Sequence, residues 1–219
     1  MTTKMNKIHN MDCLEFMKQV PDNYFDLVLT DPPYGINIAK WDSEIPPKEY
    51  FDEIFRISKQ QIIFGGNYFE LPHTNAWLCW DRTFAEDSRG KAVTQSKIPR
   101  ANISDFEMIW TSLKIRPTFI RYTYIGNLKG FNNKLNVDYN HKEKQHPTQK
   151  PLELLEHIIR TFSEFKDDTK ITIFDPFSGS GSSLVIAKQL GLEWCGCELE
   201  ADYVAIANKR LEQVQGSLF

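Results

Sequence analysis

Two stretches of this chain carry residues whose types and spacing could do chemistry. The first, Asp31-Pro32-Pro33-Tyr34-Gly35, follows the apolar run Leu27-Val28-Leu29. Its two prolines supply no N–H, so they stop strand pairing and hold the backbone in one shape around the Asp31 carboxylate. A carboxylate and a neighbouring carbonyl, here those of Asp31 and Pro32, can accept both hydrogens of an aromatic amine. That favours a pyramidal nitrogen, whose lone pair is otherwise delocalised into the ring, and aims it at a methyl group. Tyr34 offers a flat face for a base turned out of a duplex. A proline-rich turn with a tyrosine packed beneath it is the other reading of the same residues.

The second stretch is Asp175-Pro176-Phe177-Ser178-Gly179-Ser180-Gly181-Ser182-Ser183, placed after an apolar run and opening a helix. Glycines let a backbone approach a ligand, and a helix start offers unpaired N–H groups. A phosphate loop is excluded because no lysine follows the second glycine. A dinucleotide fingerprint is excluded because Leu184 stands where its third glycine belongs. Asp175 would repel a pyrophosphate but suits a ligand carrying an ammonium or sulfonium group. Glu198, about twenty residues on at the end of the next strand, is placed to bind ribose hydroxyls. A structural turn beside a surface acid remains the plainer alternative.

These residues need elements to position them. Short apolar runs alternate with stretches of helical period, which predicts an α/β fold: a mostly parallel, Rossmann-like sheet with helices on both faces. Strands are expected at Lys7–Asn10, Phe25–Thr30, Gln61–Phe64, Asn75–Trp80, Ile171–Phe174 and Trp194–Cys197. Phe106–Leu113 and Pro117–Tyr124 read as an antiparallel hairpin at one edge. Helices are expected over Leu14–Gln19, Pro47–Ile57, Ser183–Leu190 and Ala201–Val214, with another from Pro151 to Phe162, where proline suits the first helical position. Asp42, Glu49 and Glu53 are assigned to a helix surface. In an open parallel sheet, ligands sit outside the carboxyl ends of strands where the strand order reverses. The two motifs can therefore face one crevice, although about 140 residues separate them.

A chain of 219 residues that is 41% hydrophobic can bury one sizeable core, so residues 1–219 are read as a single catalytic domain with an insertion at 82–145. No apolar run approaches the ~20 residues needed to cross a bilayer, and Met1-Thr2-Thr3-Lys4 lacks a signal peptide's apolar centre. A cytosolic protein with no membrane partner is expected. Cys13, Cys79, Cys195 and Cys197 lie in apolar contexts and are read as reduced and mostly buried; no metal site is expected. Charge is polarised along the chain: residues 82–150 carry a net +7, the remainder −10. Arg82, Arg89, Lys91, Lys97 and Arg100 occupy a stretch poor in apolar residues, suited to phosphate contacts. Arg116, Arg121, Lys129 and Lys134 are interleaved with Phe119, Tyr122, Tyr124 and Phe131, a mixture suited to backbone contact and base stacking, or to a solvated face beside core aromatics.

Four motifs together carry a family resemblance: Asp31-Pro32-Pro33-Tyr34; His146-Pro147-Thr148-Gln149-Lys150-Pro151; Phe177-Ser178-Gly179-Ser180-Gly181-Ser182; and Gly196-Cys197-Glu198 through Tyr203, Ala207 and Arg210. In this order they resemble the beta class of the N6-adenine/N4-cytosine DNA methyltransferases, whose sheet is circularly permuted. The resemblance implies S-adenosyl-L-methionine as cofactor, DNA as partner, a homodimer, and N6 of adenine as the methyl acceptor. Cytosine N4 is the close competitor, and a guanine N2 amine in structured RNA a more distant one. It further implies that Asp12 and the Cys13 backbone meet the donor's adenine and Glu198 its ribose. Asp175, Phe177, Ser178, Gly179, Gly181, Ser182 and Ser183 would surround the methionine part, with Thr148 and Lys150 near its carboxylate and His146 bracing the loop.

Overall fold

The computed structural model describes residues 4–37, 39–82, 104, 106–125, 128–131, 136–137, 149–162 and 171–214. Its strands are β1 (Lys7–Asn10), β2 (Phe25–Thr30), β3 (Ser58–Phe64), β4 (Trp77–Asp81), β5 (Phe106–Thr111), β6 (Thr118–Ile125), β7 (Leu128–Phe131), β8 (Asn136–Val137), β9 (Thr172–Asp175) and β10 (Glu193–Glu198). The helices are α1 (Cys13–Met17), α2 (Lys48–Ile57), α3 (Leu152–Phe162), α4 (Ser182–Gln189) and α5 (Ala201–Gln213).

All ten strands join one sheet in the order β1-β10-β9-β2-β3-β5-β4-β6-β7-β8. From β1 to β3 every pairing is parallel. This half is buried on both faces, which is why its strands read as continuous apolar runs. Leu27, Leu29, Ile62, Phe64 and Ile173 pack with residues of α3, α4 and α5 on one side. The intervening Val28, Ile63 and Phe174 pack with residues of α1 and α2 on the other. The chain leaves β9 towards β10 on one side and leaves β2 towards β3 on the other, so strand order reverses between β9 and β2. The carboxyl ends of those two strands carry the Asp175 and Asp31 loops, and the crevice lies between them.

The expected hairpin is corrected. β5 and β6 do not pair with each other: β4 lies between them, antiparallel to β5 and parallel to β6. Alternation reveals which face of a strand is buried but not which strand lies beside it, and Leu78 and Trp80 of β4 serve both neighbours. Trp80 is buried and donates from its indole to the Tyr122 carbonyl at 2.8 Å. The hairpin at this edge is instead β6 with β7. No described helix is long and apolar enough to cross a membrane.

Candidate active site

The glycine loop is held from beneath. Asp175, at the end of β9, is only 4% exposed. One of its oxygens accepts from Thr30 Oγ1 at 2.8 Å and Phe177 N at 3.1 Å, and the other accepts from Ser183 Oγ. Burial pushes its pKa up to about 6 against the pull of these donors. From above, Arg210 on α5 donates to the Ser180 carbonyl at 2.5 Å and to Ser182 Oγ at 3.1 Å. Gly181 has φ +77°, and a Cβ there would stand 2.8 Å from that of Ala207. The motif residues Ala207 and Arg210 are thus the packing and the grip that fix the loop. Glu198, ending β10, accepts from Gly179 N at 2.8 Å and Glu200 N at 2.9 Å, and burial raises its pKa.

Asp175, Ser180 and Glu198 line a cavity of about 410 Å³ that also takes in Asp12, Cys13, Asp31, Pro33, Tyr50, Lys150, Phe177, Ser178, Gly179, Ser182 and Ser183, whereas Gly181, Ala207 and Arg210 brace the loop from outside its lining. Asp12 caps α1 by accepting from Leu14 N at 2.7 Å, and Tyr50 donates to its second oxygen at 2.9 Å. The rings of Tyr50 and Phe177 lie 6.2 Å apart with near-parallel planes. The carboxylates of Asp12, Asp175 and Glu198, aromatic walls and a glycine whose missing Cβ would meet nothing within 4 Å, Gly179, make a cradle for a cationic ligand bearing hydroxyls.

Asp31 lines the same cavity. Lys150 Nζ lies 2.5 Å from its Oδ2, and the Tyr34 hydroxyl donates to its Oδ1. Tyr34 also reaches Glu107 Oε1 at 2.8 Å, and Lys150 lies 3.1 Å from the same oxygen. Arg82 pairs with Oε2 of Glu107. The tetrapeptide loop is closed by Asp42, which accepts from Tyr34 N at 2.6 Å and Gly35 N at 3.1 Å. The Tyr34 ring stacks on Tyr68, with centroids 4.9 Å apart.

Several sequence expectations change here. Asp42 is not on a helix surface; it is 2% exposed and shapes the loop. Arg82 does not face phosphate from a polar loop, because its guanidinium turns inward to Glu107. Lys150 lines the cavity, but Asp31 and Glu107 hold its ammonium. Arg116 and Arg121 are exposed, and Arg121 lies 4.0 Å from Asp81. Lys129 lies on β7. Arg89, Lys91, Lys97, Arg100, His146 and Thr148 fall outside the described residues. Glu107 was missed, although its place two residues before Ile109 puts it in phase with the buried face of β5.

A DNA methylase family model matches residues 73–209, more than half of the chain. The chain belongs to that family, the S-adenosylmethionine-dependent DNA methyltransferases of N6-adenine/N4-cytosine type. Among its relatives is the type II methyltransferase M1.MboII of Moraxella bovis, 27% identical over 97% of this chain and 98% of that one. M.HpaI of Haemophilus parainfluenzae is 26% identical over 92% of this chain and 72% of that one. Likeness of fold extends to the M1.HpyAVI–SAM complex, with a TM-score of 0.55, 22% identity and coverage of 94% and 99%. It extends also to the cytosine-N4-specific PvuII methyltransferase, with a TM-score of 0.57, 18% identity and coverage of 95% and 87%.

Proposed function

We propose that this chain methylates the N6 amine of adenine in DNA, with Asp31, Pro32, Pro33 and Tyr34 as the acceptor-side residues. The observation that carries this reading is the shared cavity: the Asp31 carboxylate faces the same space as Asp12, Gly179 and Glu198. The cofactor, when bound, supplies an electrophilic methyl group on a sulfonium centre. Asp175 and the Ser178–Ser183 loop orient its methionine part, Glu198 holds its ribose hydroxyls, and Asp12 with the Cys13 backbone meets its adenine. Asp31 accepts one amine hydrogen and the Pro32 carbonyl the other, which aims the nitrogen lone pair at the methyl carbon. The proton that the amine loses on transfer passes to the Asp31 carboxylate and from there to solvent water.

Within residues 82–145, Arg89, Lys91, Lys97, Arg100, Arg116, Arg121 and Lys129 are assigned to the DNA, in a single catalytic domain spanning 1–219 that works in the cytoplasm, as a homodimer. The same geometry serves the N4 amine of cytosine, and the fold likeness to a cytosine-N4-specific enzyme keeps that as the second reading. Incubation with labelled donor and DNA, followed by digestion to nucleosides, tests the proposal. N6-methyladenine is the expected product; N4-methylcytosine would establish the second reading, and an unmodified digest would reject both.

A further inference from the structure

Glu107 is a charged side chain where strand packing calls for an apolar one. It is 6% exposed, in phase with the buried Ile109 on β5 and paired in register with the buried Trp80 of β4. Burying a carboxylate is costly unless it is paired and hydrogen-bonded, and apolar residues of similar volume would often be at least as stable. Fold stability alone is a poor reason for its presence. Its partners all lead to the acceptor end of the cavity. Oε1 takes the Tyr34 hydroxyl at 2.8 Å and Lys150 Nζ at 3.1 Å, while Lys150 reaches Asp31 at 2.5 Å. Oε2 meets Arg82, which follows β4 and lies over the Trp80 ring at 4.5 Å.

We propose that Glu107 is a positioning residue for methyl transfer: with Lys150 it fixes the Asp31 carboxylate and the Tyr34 hydroxyl, and through Arg82 it ties them to the end of β4. This rests on the methyltransferase reading above. The quartet of Asp31, Glu107, Lys150 and Arg82 is balanced, two negative charges against two positive, around a tyrosine that burial and the Asp31 carboxylate keep neutral. The Tyr34 hydroxyl has one proton and two carboxylate neighbours, Asp31 and Glu107. Lys150, lying between the same two carboxylates, bridges them. Without Glu107, two cations remain beside Asp31 alone and draw its oxygens away from an incoming amine. Without Lys150, nothing bridges the two carboxylates, and both turn to a single hydroxyl. The charged and titratable groups facing this pair are Tyr34 on the tetrapeptide loop, Tyr68 after β3, Arg82 after β4, Lys150 before α3 and Asp175 on β9, which senses the Asp31 charge.

The test uses the full chain, plasmid DNA and labelled S-adenosylmethionine, with Glu107→Gln, Lys150→Met, Lys150→Arg and the Glu107→Gln/Lys150→Met double variant. Single-turnover methylation is measured across pH, and donor affinity by calorimetry. Glu107→Gln should slow methyl transfer by about 10–100-fold, the range expected for a misplacement of up to about 1 Å, with donor affinity within about threefold. Lys150→Met should likewise slow methyl transfer by about 10–100-fold, with donor affinity within about threefold. Lys150→Arg should restore it, and the double variant should lose less than the product of the two single losses. If Glu107→Gln does not fold, the rate loss in Lys150→Met and its rescue by arginine decide the matter. An unchanged rate in Glu107→Gln or in Lys150→Met would overturn the inference. A wild-type protein that methylates no DNA would instead overturn the functional reading beneath it.

Discussion

Gly65 offers a perturbation whose consequence can be worked from geometry. It follows β3 with φ +64°, and a Cβ there would stand 2.2, 2.5 and 2.8 Å from three ring atoms of Tyr34. That ring has little room to retreat, because it is stacked on Tyr68 and its hydroxyl is tied to Asp31 and Glu107. Gly65→Ala must therefore displace Tyr34. The left-handed alanine costs about 1 kcal/mol. Loss of the ring stack costs about 1 kcal/mol and loss of hydrogen bonds to charged groups about 1.5–3 kcal/mol. Partial relaxation brings the total to about 2–4 kcal/mol, equivalent to a melting temperature lower by about 5–15 °C for a chain of this size. Methyl transfer should fall by at least about tenfold while donor affinity stays within about threefold, because Tyr34 serves the acceptor side. Calorimetric melting and single-turnover kinetics read the two effects. A variant with unchanged melting temperature and unchanged rate would mean that Tyr34 is not held against Gly65, and the acceptor-side geometry would fall with it.

Burial raises the Asp175 pKa to about 6, so a cationic donor binds the ionised carboxylate best above that value. As pH drops below about 6, protonation should weaken donor binding towards tenfold per unit, and Asp175→Asn should bind weakly with a flatter profile in calorimetric titrations. Arg210→Gln should weaken donor affinity about 3–10-fold, since it releases the grip on Ser180 and Ser182 without touching Asp31. Arg121→Gln should reduce the slope of log affinity for DNA against log salt by about 0.9 in fluorescence-anisotropy titrations, the loss of one phosphate contact.

The parallel half of the sheet was legible because burial on both faces writes itself as apolar runs ending in Asp31 and Asp175. The crevice between them then followed from strand order. Pairing in the other half was not legible: β5 and β6 are neighbours in sequence, and only the three-dimensional position of β4 separates them. At the site, the glycine loop and Glu198 declared themselves through spacing. Asp42 did not, because its task is to accept two backbone N–H groups and no pattern of neighbouring residues marks such an acceptor. Glu107 carried a faint signal, an acid in phase with Ile109, that only its partners Tyr34, Lys150 and Arg82 explain. Arg82 reads as one more cation in a basic stretch until its inward turn is seen.

The central claim is that Asp31 delivers a base amine to a donor bound by the Asp175 and Glu198 loops. The most direct test compares wild type and Asp31→Ala in one labelled-donor reaction with plasmid DNA, analysed as nucleosides, alongside donor binding by calorimetry. N6-methyladenine should form with wild type and be abolished in the variant, whose donor affinity stays within about tenfold. Methylation that survives in Asp31→Ala, or donor binding that is lost together with it, would contradict the division of the cavity into a donor end and an acceptor end.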